Sequence, residues 1–272
     1  MLKVIDVRIL YAFTFIFVVP PTLIINKKAR NAIYNFYRKG FRYSKFKAAW
    51  MTYKNHCDFS EVVIDKFAMY AGKKFKLNII RYHLFEDLLD KPEGFIQLSS
   101  HIGNFEIAGY SLESEKKRVN ALVFGGEKAS VMAHRNRMFE SHNIRMIPVS
   151  TDMEHLFAMS NALDNGEIMS MPADRVFGSQ KVFSIPFLGH DANFPQGPFI
   201  LAAMKNVEVL FIAVMKTGAK KYDILIHSLK RPEKTRAKER AEEIAEDYVR
   251  NLQEVVEKYP TQWYNYFDFW AQ

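Results

Sequence analysis

From residue 94 onward, short apolar runs alternate with amphipathic ones, and this alternation constrains the fold more than any other feature of the chain. Runs near 95–99, 119–124, 144–149, 167–172, 208–215 and 222–229 read as strands, and those near 104–114, 128–141, 153–164 and 197–205 as helices. Such alternation builds layered α/β proteins, so the sequence predicts a mixed central sheet with helices on both faces, preceded by N-terminal helices. Between Arg231 and Lys258 an apolar stripe of Ala241, Ile244, Ala245, Tyr248, Leu252 and Val255 runs amid alternating Glu and Lys or Arg, the pattern of a surface helix. The 272 residues, 49% of them hydrophobic, suffice for one sizeable core. Neither a repeat nor a long linker divides them, and the expected organisation is an N-terminal helical region over 1–80 and an α/β core over 81–272, integrated in one domain.

The first quarter has a different chemistry. Ile9 to Val19 is apolar, and Pro20-Pro21 interrupts it before Thr22-Leu23-Ile24-Ile25. A bilayer span needs about twenty continuous apolar residues, and two prolines are expected to break a helix, so the sequence predicts a monotopic anchor rather than a simple transmembrane helix. Lys27-Lys28 stands where a secretory signal would carry a small-residue cleavage site. Basic residues then interleave with Tyr34, Phe36, Tyr37, Phe41, Tyr43 and Phe46, a mixture suited to a lipid headgroup layer. With a formal net charge of +8, an anionic membrane surface is the expected partner. The plainer reading is a solvated basic helix over a protein core; nucleic acid fits the charge, but no nucleic-acid-binding motif is present. Cys57 is the sole cysteine, which rules out an intrachain disulfide and reads as a small buried hydrophobe.

Chemistry concentrates in Ser99-Ser100-His101-Ile102-Gly103-Asn104-Phe105-Glu106, which follows the strand-like Phe95-Ile96-Gln97-Leu98. The pattern is strand, tight turn, helix: Gly103 supplies the turn, Asn104 caps the helix, and Glu106 falls in its first turn. His101 and Glu106 are five positions apart, so a continuous helix would not pair them, but with His101 on the turn Glu106 could reach back. A carboxylate on one imidazole nitrogen leaves the other free to take a proton from a hydroxyl or amine brought by the substrate. The bland reading is a surface turn. A serine nucleophile is disfavoured, because the chain has no Gly-x-Ser-x-Gly elbow.

Two later blocks add candidates. Ile168 to Arg175 ends a strand with Asp174-Arg175, and ligands of open α/β sheets bind beyond the carboxyl ends of strands. Arg175 could grip a phosphate bidentately or merely pair with Asp174. In Phe194-Pro195-Gln196-Gly197-Pro198, Gly197 would let backbone approach a ligand and the next helix N-terminus would offer amides to an anion. His190 and Asp191 lack two further ligands at metal-binding spacing, so no metal site is expected.

His101-Ile102-Gly103-Asn104-Phe105-Glu106 resembles the His-x-x-Asn-Trp-Glu block of bacterial lipid A late acyltransferases, a branch of the lysophospholipid acyltransferase superfamily, with Phe105 in place of the usual Trp. Val182 to Met204 resembles that family's Val-Pro-Phe-Phe-Gly segment, glycine turn and small-residue helix, and Pro260-Thr261-Gln262-Trp263 its closing Pro-x-Gln-Trp motif, whose aromatic block is expected to pack behind the site. At the strand-terminal Asp the family commonly continues with Gln or His, and here Arg175 follows. The resemblance implies that His101 and Glu106 are the catalytic pair. It makes Arg137 a candidate for the phosphorylated part of the substrate, with Arg135 equally eligible and an ordinary exposed helix charge the plainer reading. Asn104, Arg137, Asp174, Arg175 and Gly197 are the expected substrate-binding positions.

The implied activity moves a fatty acyl group from an acyl carrier protein or acyl-CoA thioester to a hydroxyl or amine of a lipid acceptor, a lipid A precursor or related lipid, without cofactor or metal. The implied location is the cytoplasmic face of the bacterial inner membrane, held peripherally or monotopically through the N-terminal region. A non-catalytic protein that binds anionic membranes is the alternative.

Overall fold

The computed structural model describes residues 5–105, 107, 112, 114–123, 143–149, 154–176, 181–233 and 236–271. Its centre is a seven-stranded sheet of β1 (Lys76–Ile80), β2 (Phe95–Ser99), β3 (Val119–Val123), β4 (Ile144–Pro148), β5 (Ile168–Pro172), β8 (Glu208–Gly218) and β9 (Lys221–Ser228). The spatial order is β1-β9-β8-β2-β5-β3-β4. Pairings from β8 to β4 are all parallel, and β9 turns back antiparallel to β8 with β1 parallel beside it. The mixed sheet expected from the alternating pattern is therefore present.

Both faces are buried, as a largely parallel sheet requires. Along β8, Val209, Phe211, Ala213 and Met215 enter one core while Leu210, Ile212 and Val214 enter the other. The first core is covered by α3 (Lys27–Lys39), α6 (Glu154–Asp164), α7 (Gly197–Lys205) and α8 (Ala237–Lys258), and the second by α5 (His83–Leu89). α8 buries the whole predicted stripe from Ala241 to Val255.

Three strands had no clear signature. β1 is an edge strand with alternate residues exposed. β6 (Val182–Phe187) and β7 (His190–Pro195) form a separate antiparallel hairpin closed by Leu188-Gly189, both at positive φ (51° and 78°). That is the geometry of the two-residue turns that match strand twist, and Pro186 is tolerated because the hairpin has only two strands.

The N-terminal region corrects one expectation. Pro20-Pro21 does not break the helix: α1 (Val7–Phe13), a π-helical turn (Thr14–Val18) and α2 (Val19–Ile25) run on as 19 helical residues with mean hydropathy 1.9. It is long and apolar enough to cross a membrane, by length and composition. The π turn explains the tolerance. In its register the Val19 amide bonds Thr14 O, so the next donor would be Pro20, which has none; the Tyr53 hydroxyl instead donates to Phe15 O at 3.1 Å. Thr22 Oγ1 also donates to Val18 O at 2.7 Å, one turn back along the helix.

α4 (Lys45–Tyr70) is a 26-residue helix that joins this segment to the sheet. Its Asp65, fully buried, accepts from the Tyr11 hydroxyl, from Tyr222 Oη at 2.5 Å and from Lys216 Nζ of β8, while Lys216 also pairs with Glu61 at 3.1 Å. Removing one member of such a group strands the others' charge. Asp65→Ala should therefore destabilise the fold by about 3–5 kcal/mol, read as a lowered unfolding midpoint in denaturant.

Candidate active site

The site arises from the sheet register. Ser99 of β2 lies opposite Pro172 of β5, and the Ala173 amide continues the ladder to Ser99 O at 3.0 Å. Two residues beyond each strand end, His101 and Asp174 face one another. Asp174 Oδ1 lies 2.7 Å from His101 Nδ1, and Oδ2 accepts the His101 backbone amide at 3.0 Å and Trp263 Nε1 at 3.1 Å. The Asp174 side chain is completely buried while that of His101 is 22% exposed, so the carboxylate is sealed in and the imidazole reaches the surface.

Burial pushes the Asp174 carboxyl upward, but the charge and hydrogen bonds of His101, with the Arg175 charge, outweigh it and hold the pKa at about 2. Asp174 is thus an acceptor at any ordinary pH. Donation of Nδ1–H to it makes Nε2 the basic nitrogen, and among the described residues Nε2 has no hydrogen-bond partner. Phe105 sets its ring edgewise to the imidazole, 5.6 Å between centroids.

The turn carrying His101 is locked on two sides. Gly103 N donates to Gln262 O at 2.7 Å, Asn104 N to Val214 O at 2.8 Å, and Tyr264 N to His101 O at 3.0 Å. Gly103 sits at φ +58°, and a Cβ there would lie 1.9 Å from Val214 O, so only glycine lets the turn lie against β8. The helix then starts as predicted, with Phe105 and Ile107 helical and Ile107 N bonded to Asn104 O at 3.0 Å.

The other candidates divide. Asn104 is buried against β8 at the site. Arg175 neither pairs with Asp174 nor stands free: Nε donates to Asn265 Oδ1 at 2.8 Å, Nη2 to Tyr264 O at 2.6 Å, and the guanidinium covers Phe267. Gly197 begins α7, with open space where its Cβ would be and Pro198 removing one helix amide; no hydrogen bond joins it to His101 or Asp174. Gln196 spends its side-chain amide on Val182 O. Glu106 and Arg137 lie outside the described residues. Among the described residues no group of three or more His, Cys, Asp or Glu stands together as a metal site.

Sequence reasoning missed the use of the C-terminal block. Pro260–Trp263 does pack as aromatic core, with Trp263 against Phe36, Phe187 and Phe269. It also does polar work. Trp263 holds Asp174, the Gln262 side chain pairs with both backbone groups of Lys216 at 2.9 and 2.8 Å, and Asn55 Nδ2 of α4 ties down Thr261 O and Trp263 O. The Gln-Trp pair beside an apolar run was the available signal.

A family model described as bacterial lipid A biosynthesis acyltransferase matches residues 61–270, which takes in His101, Asp174 and the Gln262-Trp263 clamp. The chain belongs to the bacterial lipid A biosynthesis acyltransferase family. No curated protein gives a significant match. The match makes this lipid A acyltransferase family member an acyltransferase.

Two stability measurements check the geometry. Gly103→Ala should cost more than about 3 kcal/mol, because positive φ and a backbone clash combine. The Asp174 pKa is depressed from 3.8 to about 2, so its contribution is complete above pH 4 and lost as pH falls toward 2. Relative to Asp174→Asn, the wild type should lose about 2 kcal/mol of unfolding free energy over that window.

Proposed function

We propose that this chain transfers a fatty acyl group from an acyl carrier protein or CoA thioester to a hydroxyl or amine of a lipid acceptor, a lipid A precursor or related lipid. The observation that carries the reading is a buried, ionised Asp174 bonded to the inner nitrogen of a partly exposed His101 where two parallel strands end. His101 Nε2 takes the proton of the acceptor hydroxyl or amine as its oxygen or nitrogen attacks the thioester carbonyl. The carbon–sulfur bond then breaks, and the imidazolium returns the proton to the leaving thiolate. Asp174 keeps the imidazole in the productive tautomer and stabilises its charge, as the third member of a triad does when the substrate brings the nucleophile.

Asp174 thereby moves from a substrate-binding to an orienting role. Glu106 stays in the proposal as the acidic residue of the His-x-x-Asn-Phe-Glu block. With Nδ1 engaged by Asp174, Glu106 would act on Nε2, on the acceptor or on the developing charge rather than repeat the Asp174 contact. Arg137 is the proposed phosphate contact. Asn104 and Arg175 shape the floor through the elements they brace, and Gly197 with the start of α7 is assigned to the wall of the substrate channel. The expected boundary at residue 80 falls after β1, which belongs to the central sheet, so the helices before it are the proposed membrane-associating part and the sheet with its covering helices the catalytic core, at the cytoplasmic face of the bacterial inner membrane, where a carrier-bound acyl donor is available.

His101→Ala should lower acyl transfer at least about 1,000-fold, measured as lipid acylation by mass spectrometry of extracts from cells with and without the intact chain. Because the imidazole is also a partner of the buried Asp174 carboxylate, His101→Ala should unfold at a lower midpoint than wild type, and transfer is compared at a temperature where far-UV circular dichroism shows both proteins folded. A fully active His101→Ala protein overturns the mechanism, and Asp174→Asn should lower the turnover rate more than the Michaelis constant rises.

A further inference from the structure

Half of the N-terminal apolar helix is already committed to the domain. The Tyr11 hydroxyl bonds Asp65, Thr14 Oγ1 meets Ser60 Oγ at 3.1 Å, and Phe15 O accepts from Tyr53. As the first numbers rise the α4 partners fall, so the two helices run antiparallel with residues 7–15 lying along the stretch of α4 that bears Glu61 and Asp65. Those nine residues cannot cross the hydrocarbon as part of a spanning helix without taking the buried Asp65 and Lys216 of the sheet with them. The ten that remain, 16–25, reach about 15 Å as a helix, half of a hydrocarbon core of about 30 Å.

The side turned away from α4 is apolar and open. Ile9, Phe13, Ile16, Phe17 and Ile24 are 54 to 67% exposed and fall on one helical stripe. The antiparallel pairing brings α2 beside the start of α4, where Phe46 is 91% and Trp50 62% exposed. Exposed Lys27, Lys28, Lys45 and Lys47 flank these two helix ends. Apolar side chains with a lysine border match the acyl boundary and the anionic headgroups of one leaflet.

We infer that α1, α2 and the start of α4 form one two-helix platform that lies in the plane of an anionic membrane and dips into a single leaflet, with Phe46 and Trp50 as its second set of anchors. This rests on the membrane association proposed above and not on the acyl-transfer chemistry. It also fixes the orientation: the helix that is long enough to span does not span.

The test uses the full-length chain. Vesicles of phosphatidylcholine with added phosphatidylglycerol should bind it, and a Phe46→Ser, Trp50→Ser double variant should bind at least about tenfold more weakly, since each ring buried is worth more than one such factor. The variant's unfolding midpoint and its acyl transfer in detergent should be unchanged. For orientation, single cysteines at Arg8→Cys and Lys27→Cys, the two ends of the helix, are probed with a membrane-impermeant maleimide against a wild-type background for Cys57. Both should label in inverted inner-membrane vesicles and neither in intact spheroplasts. Any other labelling pattern, or wild-type vesicle binding by the double variant, overturns the inference; loss of transfer in His101→Ala reports on the chemistry separately.

Discussion

An ionised carboxylate sealed from water is the constraint around which this site is built. Left unpaired, the Asp174 charge would be far more costly than the fold could offset, so every nearby element supplies a donor: the turn after β2 gives the His101 amide and imidazole, and the C-terminal block gives the Trp263 indole. Satisfying the charge fixes the imidazole. Structure and proposed catalysis are here the same set of hydrogen bonds.

β8 carries that order to the rest of the molecule. Val214 receives the turn through Gly103 and Asn104, and two residues later Lys216 is gripped by Gln262 on its backbone and by Asp65 and Glu61 on its side chain. Asp65 belongs to α4 and also holds Tyr11 of the N-terminal helix. A continuous chain of bonds thus runs from the N-terminal helices through one strand to the candidate base, which fixes the position of His101 relative to those helices.

Much of this was legible from the residues. The alternation after residue 94 announced the sheet because side-chain periodicity survives into structure, and the stripe of α8 matched its buried face for the same reason. His101, Gly103 and Asn104 stood out because a turn between strand and helix has local chemical demands. What was not legible depended on partners distant in sequence. Pro20-Pro21 reads as a helix breaker until Tyr53 supplies the missing hydrogen bond. Arg175 reads as a phosphate ligand or a partner of Asp174, and no local pattern shows that its Nε and Nη2 donate to Asn265 Oδ1 and the Tyr264 carbonyl. Asp174 reads as a pocket residue until strand register places it against His101.

The sequence by itself determined the fold class, the turn that presents His101 and the family, because these follow from local periodicity, a glycine-dependent backbone and a block of residues in order. Only the tertiary structure decided which carboxylate meets Nδ1. Residues 101 and 174 are brought together by the pairing of β2 with β5, and no local pattern encodes which strands become neighbours. The lie of the N-terminal helix was decided in the same way, by polar contacts with α4 that hydropathy along the chain does not register.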